Sequence, residues 1–374
     1  MNSTDNSAKC LTLLSQLLLG KGEDDGAKTA VDSTRPRRSF ATLSQSVTAF
    51  NRLDLSELWK LAMSHHVILR SFPRLRRLLE ERDPASAERL DRAIVNEAGR
   101  VHHALSFLSP ICTALEAAGD VVVIKSLDHW PDIGSDLDLY TNADAPDVVA
   151  IMRDRFKARV NKRSWGDRLA NKWNFIVPGL PELVEVHVAR LGQTGEQIAI
   201  TQSLIARART VQFGAEEFRV AAPEDRIVIS TLQRMYRHFY IRLCDMVDNA
   251  SLVDSGVVDY SYLKSLSTSA GLWDGLATYL AIVSGYVESY RGEGLSLPAL
   301  VTNAAQFGNE LIHLRRNFLR VPIFPQSVGF YASEWKRLLL NGEILSTMRL
   351  SLLPGLATAA ALELKVTGSD KGIW

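Results

Sequence analysis

Cysteine is scarce. Cys10, Cys112 and Cys244 are the only three in 374 residues. Their number is odd and no two share a short motif, so neither a disulfide framework nor a zinc knuckle is expected, and a reducing compartment fits. An excess of either charge is also lacking. Lys and Arg total 43 against 42 Asp and Glu, a formal net charge of +1. That balance excludes a surface built throughout to attract nucleic acid, while leaving room for a local basic patch. A run of about 18 apolar residues, long enough for a bilayer helix, is missing too. The nearest approach, residues 350–364, is interrupted by Ser351, Pro354, Gly355 and Thr358 and reads as a buried C-terminal helix. Residues 11–19 are apolar, but no basic stretch precedes them and no small-residue cleavage site follows, so no signal peptide is expected. A cytoplasmic protein without a membrane partner is the expectation. No Walker loop, dinucleotide fingerprint, H-E-x-x-H or G-x-S-x-G occurs, which removes the common nucleotide-hydrolase, dehydrogenase, zinc-protease and serine-hydrolase readings.

What remains is an ordinary globular composition, 46% hydrophobic and 23% charged, with length for two or three domains. Residues 1–35 mix Ser, Asp, Gly and Lys and read as a flexible leader, with one weak helix at most. Residues 36–118 carry apolar positions three and four apart, the period of a helix. Asp83-Pro84 breaks the pattern and Gly119 ends it. The period then changes. Val121-Val122-Val123-Ile124 is β-branched and short, a buried strand, and Leu137-Asp138-Leu139-Tyr140 alternates as a second strand. Residues 145–156 read as a helix, and 173–177 and 183–188 as a strand pair. Beyond Pro223 helices are expected over 224–247, 260–270, 273–290, 297–319 and 334–340. The order is an N-terminal helical region (36–118), a mixed core (119–215) and a C-terminal helical domain (216–374). A small mixed β-sheet flanked by helical regions is an α+β fold.

The chemistry is concentrated in the core. Asp136 and Asp138 lie two apart on a strand and so share a face, while Leu137 and Leu139 face the opposite side. Two acids held this close repel unless a cation lies between them, and oxygen ligands suit Mg²⁺ or Mn²⁺. On a later strand Glu185 and His187 share a face in the same way. If the two strands are neighbours, three carboxylates converge, enough to hold divalent ions for an in-line phosphoryl displacement. Glu185 would then be the base for an attacking hydroxyl. His187 reads as a packing or hydrogen-bonding neighbour that could orient the site. Lys125-Ser126, ten residues before Asp136, ends the first strand. A turn there lets backbone N–H groups and the Ser126 hydroxyl meet phosphate, and Lys125 offsets its charge.

These residues resemble the nucleotidyltransferases of the polymerase-beta-like superfamily. The pattern there is a hydrophobic-Gly-[Gly/Ser] turn, an acidic-hydrophobic-acidic strand, and a lone acid on a later strand. More narrowly, Ile124-Lys125-Ser126, Asp136-Leu137-Asp138-Leu139 and Glu185-Val186-His187 are similar, in order, to the motifs of a bacterial group of uncharacterised nucleotidyltransferases. The likeness covers about residues 50–290, including Trp59 to His66 and the Pro223-Glu224-Asp225 and Arg242 to Asp248 stretches. The resemblance implies a nucleotidyltransferase core with Asp136, Asp138 and Glu185 as catalytic and metal-binding residues. It implies transfer of a nucleoside monophosphate from an NTP, ATP being favoured, to a hydroxyl or phosphate of a small molecule, peptide or protein, with pyrophosphate released. Ser126 stands where glycine is usual, Gly134-Ser135 where the narrower group often has arginine, and Glu185 where Asp is commoner. A nucleotide- or partner-binding protein without turnover, a tRNA-directed transferase, and a helical scaffold with merely exposed acids are the alternatives.

Two further groupings stand out. Eight basic residues between 153 and 172 face only Asp154 and Asp167. They read as a solvated face, with Lys172, just before a strand, best placed for nucleotide binding, and with Trp165 and Trp173 as candidates to stack a base. Asp245 and Asp248 share a helix face with Arg242 and His238, an ion-pair cluster expected to dock the C-terminal arm on the core.

Overall fold

A computed structural model describes residues 3–20, 52–356 and 358–359. Its first element departs from the expected leader. Ser3–Leu19 is a helix, α1, with Cys10, Leu13, Leu14 and Leu17 buried in the main core. Those positions recur at i, i+3, i+4 and i+7, an apolar stripe that packs against other helices rather than remaining a solvated leader. Residues 1–2 and 21–51 lie outside the described residues, the first part of the expected 36–118 helical region among them.

Helices α2 (Arg52–Ser64), α3 (Ile68–Leu79) and α4 (Pro84–Leu115) follow. The expected break is real: the Asp83 carboxylate accepts from the Ser86 N–H and Pro84 opens α4, as N-cap and first-turn residues do. Pro110 sits inside α4 without ending it.

Next come β1 (Val121–Val123), β2 (Asp136–Thr141), α5 (Ala145–Phe156), β3 (Arg159–Val160), α6 (Trp165–Leu169), β4 (Lys172–Ile176), β5 (Leu183–Val188), α7 (Ile198–Arg207), β6 (Arg209–Phe213) and β7 (Glu216–Val220). The strands form one seven-stranded sheet in the order β3-β4-β5-β2-β1-β7-β6. It is mixed: β2 runs parallel to β5 and antiparallel to β1, and β1 runs parallel to β7. The sheet separates two cores. Val121, Val123, Leu137, Leu139, Val184 and Val186 pack under α4 and α5, with Leu108, Val148 and Met152. Val122, Ile124 and Tyr140 face the larger core built with the C-terminal helices. This division follows from the two-residue repeat of strands.

Several expectations need correction. Val220 of β7 pairs with Val123, so the sheet extends past the 119–215 boundary. The 224–247 helix is three pieces: α8 (Pro223–Thr231), a π-helical segment (Leu232–His238), and α9 (Leu243–Asp254) after a short strand β8 (Tyr240–Ile241). Phe239, at φ 53°, is in the left-handed region, which a helix cannot continue through. Helices α10 (Tyr260–Ser269), α11 (Trp273–Arg291) and α12 (Ala299–Thr302) follow. The 297–319 helix gives way after α12 to a hairpin of β9 (His313–Arg315) and β10 (Phe318–Arg320). Arg316 and Asn317, at φ 49° and 68°, form its two-residue turn. A small sheet in the order β8-β10-β9 results. Helices α13 (Val328–Leu340) and α14 (Ile344–Ser351) follow, and residues 353–356 are helical again after a turn at Leu352. The buried helix expected over 350–364 is corrected: among its described residues only Leu350 and Leu353 are buried, while Ser351, Leu352, Pro354 and Gly355 are exposed, and the part past 359 lies outside the described residues. Among the described residues, no helix is long and apolar enough to cross a membrane.

Candidate functional site

The parallel pairing of β2 with β5 decides the site. Asp138 is the register partner of Glu185, and Tyr140 that of His187. Leu137 and Leu139 on one strand and Val184 and Val186 on the other are buried under α4 and α5, so the intervening polar side chains must face the other way. On the far side of β5, Lys172 opposes His187 and Asn174 opposes Glu185. One face of three neighbouring strands therefore presents Asp136, Asp138, Glu185, His187 and Lys172 together.

Their charges are tightly paired. The chain leaves β1 through Lys125, at φ 59°, and the Ser126 N–H turns back to the Ile124 carbonyl at 2.6 Å. This reversal lays the Lys125 ammonium 2.5 Å from Asp138 Oδ1, 3.5 Å from Glu185 Oε1 and 3.3 Å from His187 Nε2. Lys172 Nζ lies 3.0 Å from Glu185 Oε2 and 2.9 Å from Asp167 Oδ1. His187 Nε2 is 3.0 Å from Glu185 Oε1. Burial penalises the Glu185 anion, yet Lys125, Lys172 and the His187 hydrogen bond hold its carboxyl well below the usual range. Burial likewise works against the Lys125 cation, but Asp138 and Glu185 keep its affinity for the proton raised. Among the described residues no lysine pairs directly with Asp136, and Lys125 and Lys172 lower its proton affinity only from a distance. Burial first, then the neighbouring charges of Asp138 and Glu185, push it up to about 6.

Ser126 is 1% exposed. Its hydroxyl donates to the Asp136 carbonyl at 3.0 Å and accepts from the Asp138 N–H at 2.7 Å, so it fixes the strand that carries the acids. Lys172 reaches the site, but as a buried partner of two carboxylates. The other basic residues of 153–172 do not line the cavity, and neither do Trp165 and Trp173. The Arg163 guanidinium instead stacks 3.9 Å over Trp173.

Lys125, Ser126, Asp136, Asp138, Lys172 and Glu185 floor a cavity of about 260 Å³. Its opposite wall comes from the π-helical segment and the chain beyond it, with Arg234, Arg237, His238 and Arg242. Arg234 is buried against Asp245 at 2.7 Å, and the Arg242 guanidinium donates to His66 Nε2 at 2.8 Å. Arg237 has no carboxylate partner among the described residues. Burial and the neighbouring Arg237 keep His238 neutral, its proton affinity well below the usual value. The sequence reading missed this wall, although residues 234, 237 and 238 have the spacing of one basic helix face. Single-turn π segments are frequent at functional sites, because the wider turn re-aims side chains.

Asp248 does tie the C-terminal arm to the core, but its partners are Arg70 and His129 rather than the Arg242 and His238 that the spacing grouped with it, because the expected helix breaks at Phe239. Asp248 accepts from Arg70 Nη1 at 2.6 Å and lies 2.5 Å from His129 Nδ1. Asp245 accepts the Arg242 N–H at 2.7 Å. His238 does not join the cluster; it faces the cavity instead.

No protein-family model, no curated protein and no solved structure matches this chain.

Proposed function

We propose that the chain is a metal-dependent nucleotidyltransferase with a nucleotidyltransferase-type core. It moves a nucleoside monophosphate, AMP in the favoured case, from an NTP to a hydroxyl or phosphate of an acceptor, and pyrophosphate leaves. One observation carries this reading: Asp138 and Glu185 are register partners on parallel strands, beside Asp136, in a cavity whose other wall holds Arg237 and Arg242. An acidic floor opposite a basic wall complements a triphosphate with its cation. The floor suits the ion and the wall suits the phosphate oxygens.

The donor set fits a divalent cation. Asp138, Glu185 and His187 each present a ligand atom within 4.8 Å of the others. Two carboxylates with an imidazole suit Mn²⁺, and the carboxylates alone suit Mg²⁺. Asp136 is on the same strand face but outside that closest group. When bound, the ion would neutralise charge on the phosphoryl oxygens. Lys125 is the counter-charge it must displace. Glu185 is held as an anion and serves as a ligand. Asp136, with a proton affinity near neutrality, is the better base for an acceptor hydroxyl. Arg237 and Arg242 orient the phosphates, so much of the rate would come from positioning and preorganised charge.

A second reading, nucleotide binding without turnover, is favoured by the close Lys125–Asp138 pair. Calorimetry with ATP and Mg²⁺ or Mn²⁺ on the wild type, Asp138→Asn and Glu185→Gln tests both. Metal-dependent binding lost in both variants is expected, and no binding to the wild type refutes both readings. ATP labelled at the α-phosphate, added to cell lysate, separates them: label appears on an acceptor with the wild type and not with Asp138→Asn if transfer occurs.

A further inference from the structure

A second cavity, of about 400 Å³, adjoins the first. His238 lines both. The second is walled by the β9–β10 hairpin, with His313, Arg315, Arg316 and Arg320, and it contains no acid. None of the three arginines has a carboxylate partner among the described residues. Phe239, Val321, Pro322 and Ile323 give the cavity an apolar side.

The backbone adds a separate observation. A two-residue turn with both central φ angles positive favours Asn-Gly. Here Arg316 takes the first of those positions, at φ 49°, a region that strains a side-chain-bearing residue. The hairpin tolerates that strain with an arginine at its tip, and such outliers concentrate where a ligand is held.

We propose that this cavity is the acceptor site and takes a small molecule bearing a phosphate group, an inference that rests on the transferase reading of the neighbouring cavity. Three guanidiniums without a carboxylate partner among the described residues, that of Arg320 lying 5.0 Å over the Tyr240 ring, match a dianionic phosphate better than a single carboxylate, and guanidinium forks bind phosphate oxygens in pairs. The volume lies in the range of small-molecule pockets, and the three arginines of this cavity all come from one hairpin. A molecule anchored there by phosphate, with its carbon skeleton against Phe239 and Ile323, would extend past His238 toward Asp136 and Asp138. The neutral imidazole of His238 adds no competing charge at that junction.

Inorganic phosphate is the first probe, titrated by calorimetry at low salt with EDTA present. The wild type and Asp138→Asn should bind it alike, and the Arg315→Gln/Arg316→Gln double variant at least about tenfold more weakly. Both arginines are exposed, so an unchanged thermal melt is expected to accompany the loss. Equal binding by the double variant, or no binding by the wild type, overturns the proposal. A labelled single-stranded oligonucleotide is the second probe. If it binds tighter than phosphate by more than about a hundredfold and depends on the same arginines, the cavity serves a nucleic acid and the small-molecule proposal fails. Mg²⁺–ATP binding is measured on the same samples. Its loss in the double variant alone would place the nucleotide at the hairpin and overturn the acceptor assignment. Its absence from the wild type, with hairpin-dependent phosphate binding intact, would sink the transferase reading and leave a phosphate site without an acceptor role.

Discussion

Asp138 and Glu185 face each other across two parallel strands, and the single ammonium of Lys125 touches both. A buried anion pair of this kind is stable only with a cation against it. Lys125→Met should therefore destabilise the protein by about 3 kcal/mol, the scale of breaking a buried ion pair. Added Mn²⁺ should restore most of that loss in thermal melts, because the ion replaces the missing charge. A variant that Mn²⁺ stabilises no more than the wild type would show that these carboxylates do not form a cation site.

Asp136 sets a pH dependence. Its carboxyl is raised to about 6 by burial and by Asp138 and Glu185, above the roughly 3.9 of an unfolded Asp. The folded state therefore binds this proton more tightly. The group favours folding below about 4, loses that contribution as pH rises toward 6, and opposes folding above it. Asp136→Asn should stabilise the protein at pH 7.5, relative to pH 4.5, by on the order of 1–2 kcal/mol once partial exposure is allowed for. Urea unfolding at the two pH values measures it, and equal effects at both would contradict the assignment. Transfer by the wild type should rise through an apparent value near 6, a step that Asp136→Asn removes.

Asp248 holds the C-terminal arm through Arg70 and His129. Although burial works against its anion, Arg70 and then His129 hold the Asp248 carboxyl below the usual range, so its stabilisation is present above about pH 4 and fades as pH falls further. Asp248→Leu should cost about 3–5 kcal/mol, since two cationic groups are left buried without it. Adding Arg70→Met should recover part of the loss. A double variant no better than the sum of its parts would argue against direct coupling.

Ser126→Ala removes one hydroxyl that serves two backbone groups of β2. A loss of about 1–3 kcal/mol is expected for stranding those groups, measured by chemical unfolding. If the hydroxyl instead contacts phosphate, the variant would keep its stability and lose ATP affinity, and calorimetry separates the two outcomes.

Local pattern made β2, α5 and β5 legible. Asp136 to Leu139 and Val184 to His187 alternate polar and apolar residues, and α5 has the helical period between a proline near its start and a left-handed end at Lys157. The same logic failed where strands were short and charged. In β6, Arg209–Phe213, four of five residues are exposed, so no alternation marks it. In β9 a single leucine lies between His313 and Arg315, and in β10 between Phe318 and Arg320. A weak helix was legible in residues 1–35, but the polar residues around the stripe of Cys10, Leu13, Leu14 and Leu17 hid its burial in the core.

The residue types of the acidic floor were fixed locally: alternating Asp-Leu-Asp-Leu and Glu-Val-His must each put acids on one face and apolar residues on the other. Which strands lie side by side was not, because pairing joins segments far apart in the chain and depends on how both faces of the sheet are buried. Only the folded chain brought Glu185 opposite Asp138, turned Lys125 back between them, and set the arginines of the π-helical segment across the cavity. Local periodicity reports the direction of a side chain from its own backbone; its partners are chosen by packing over the whole molecule.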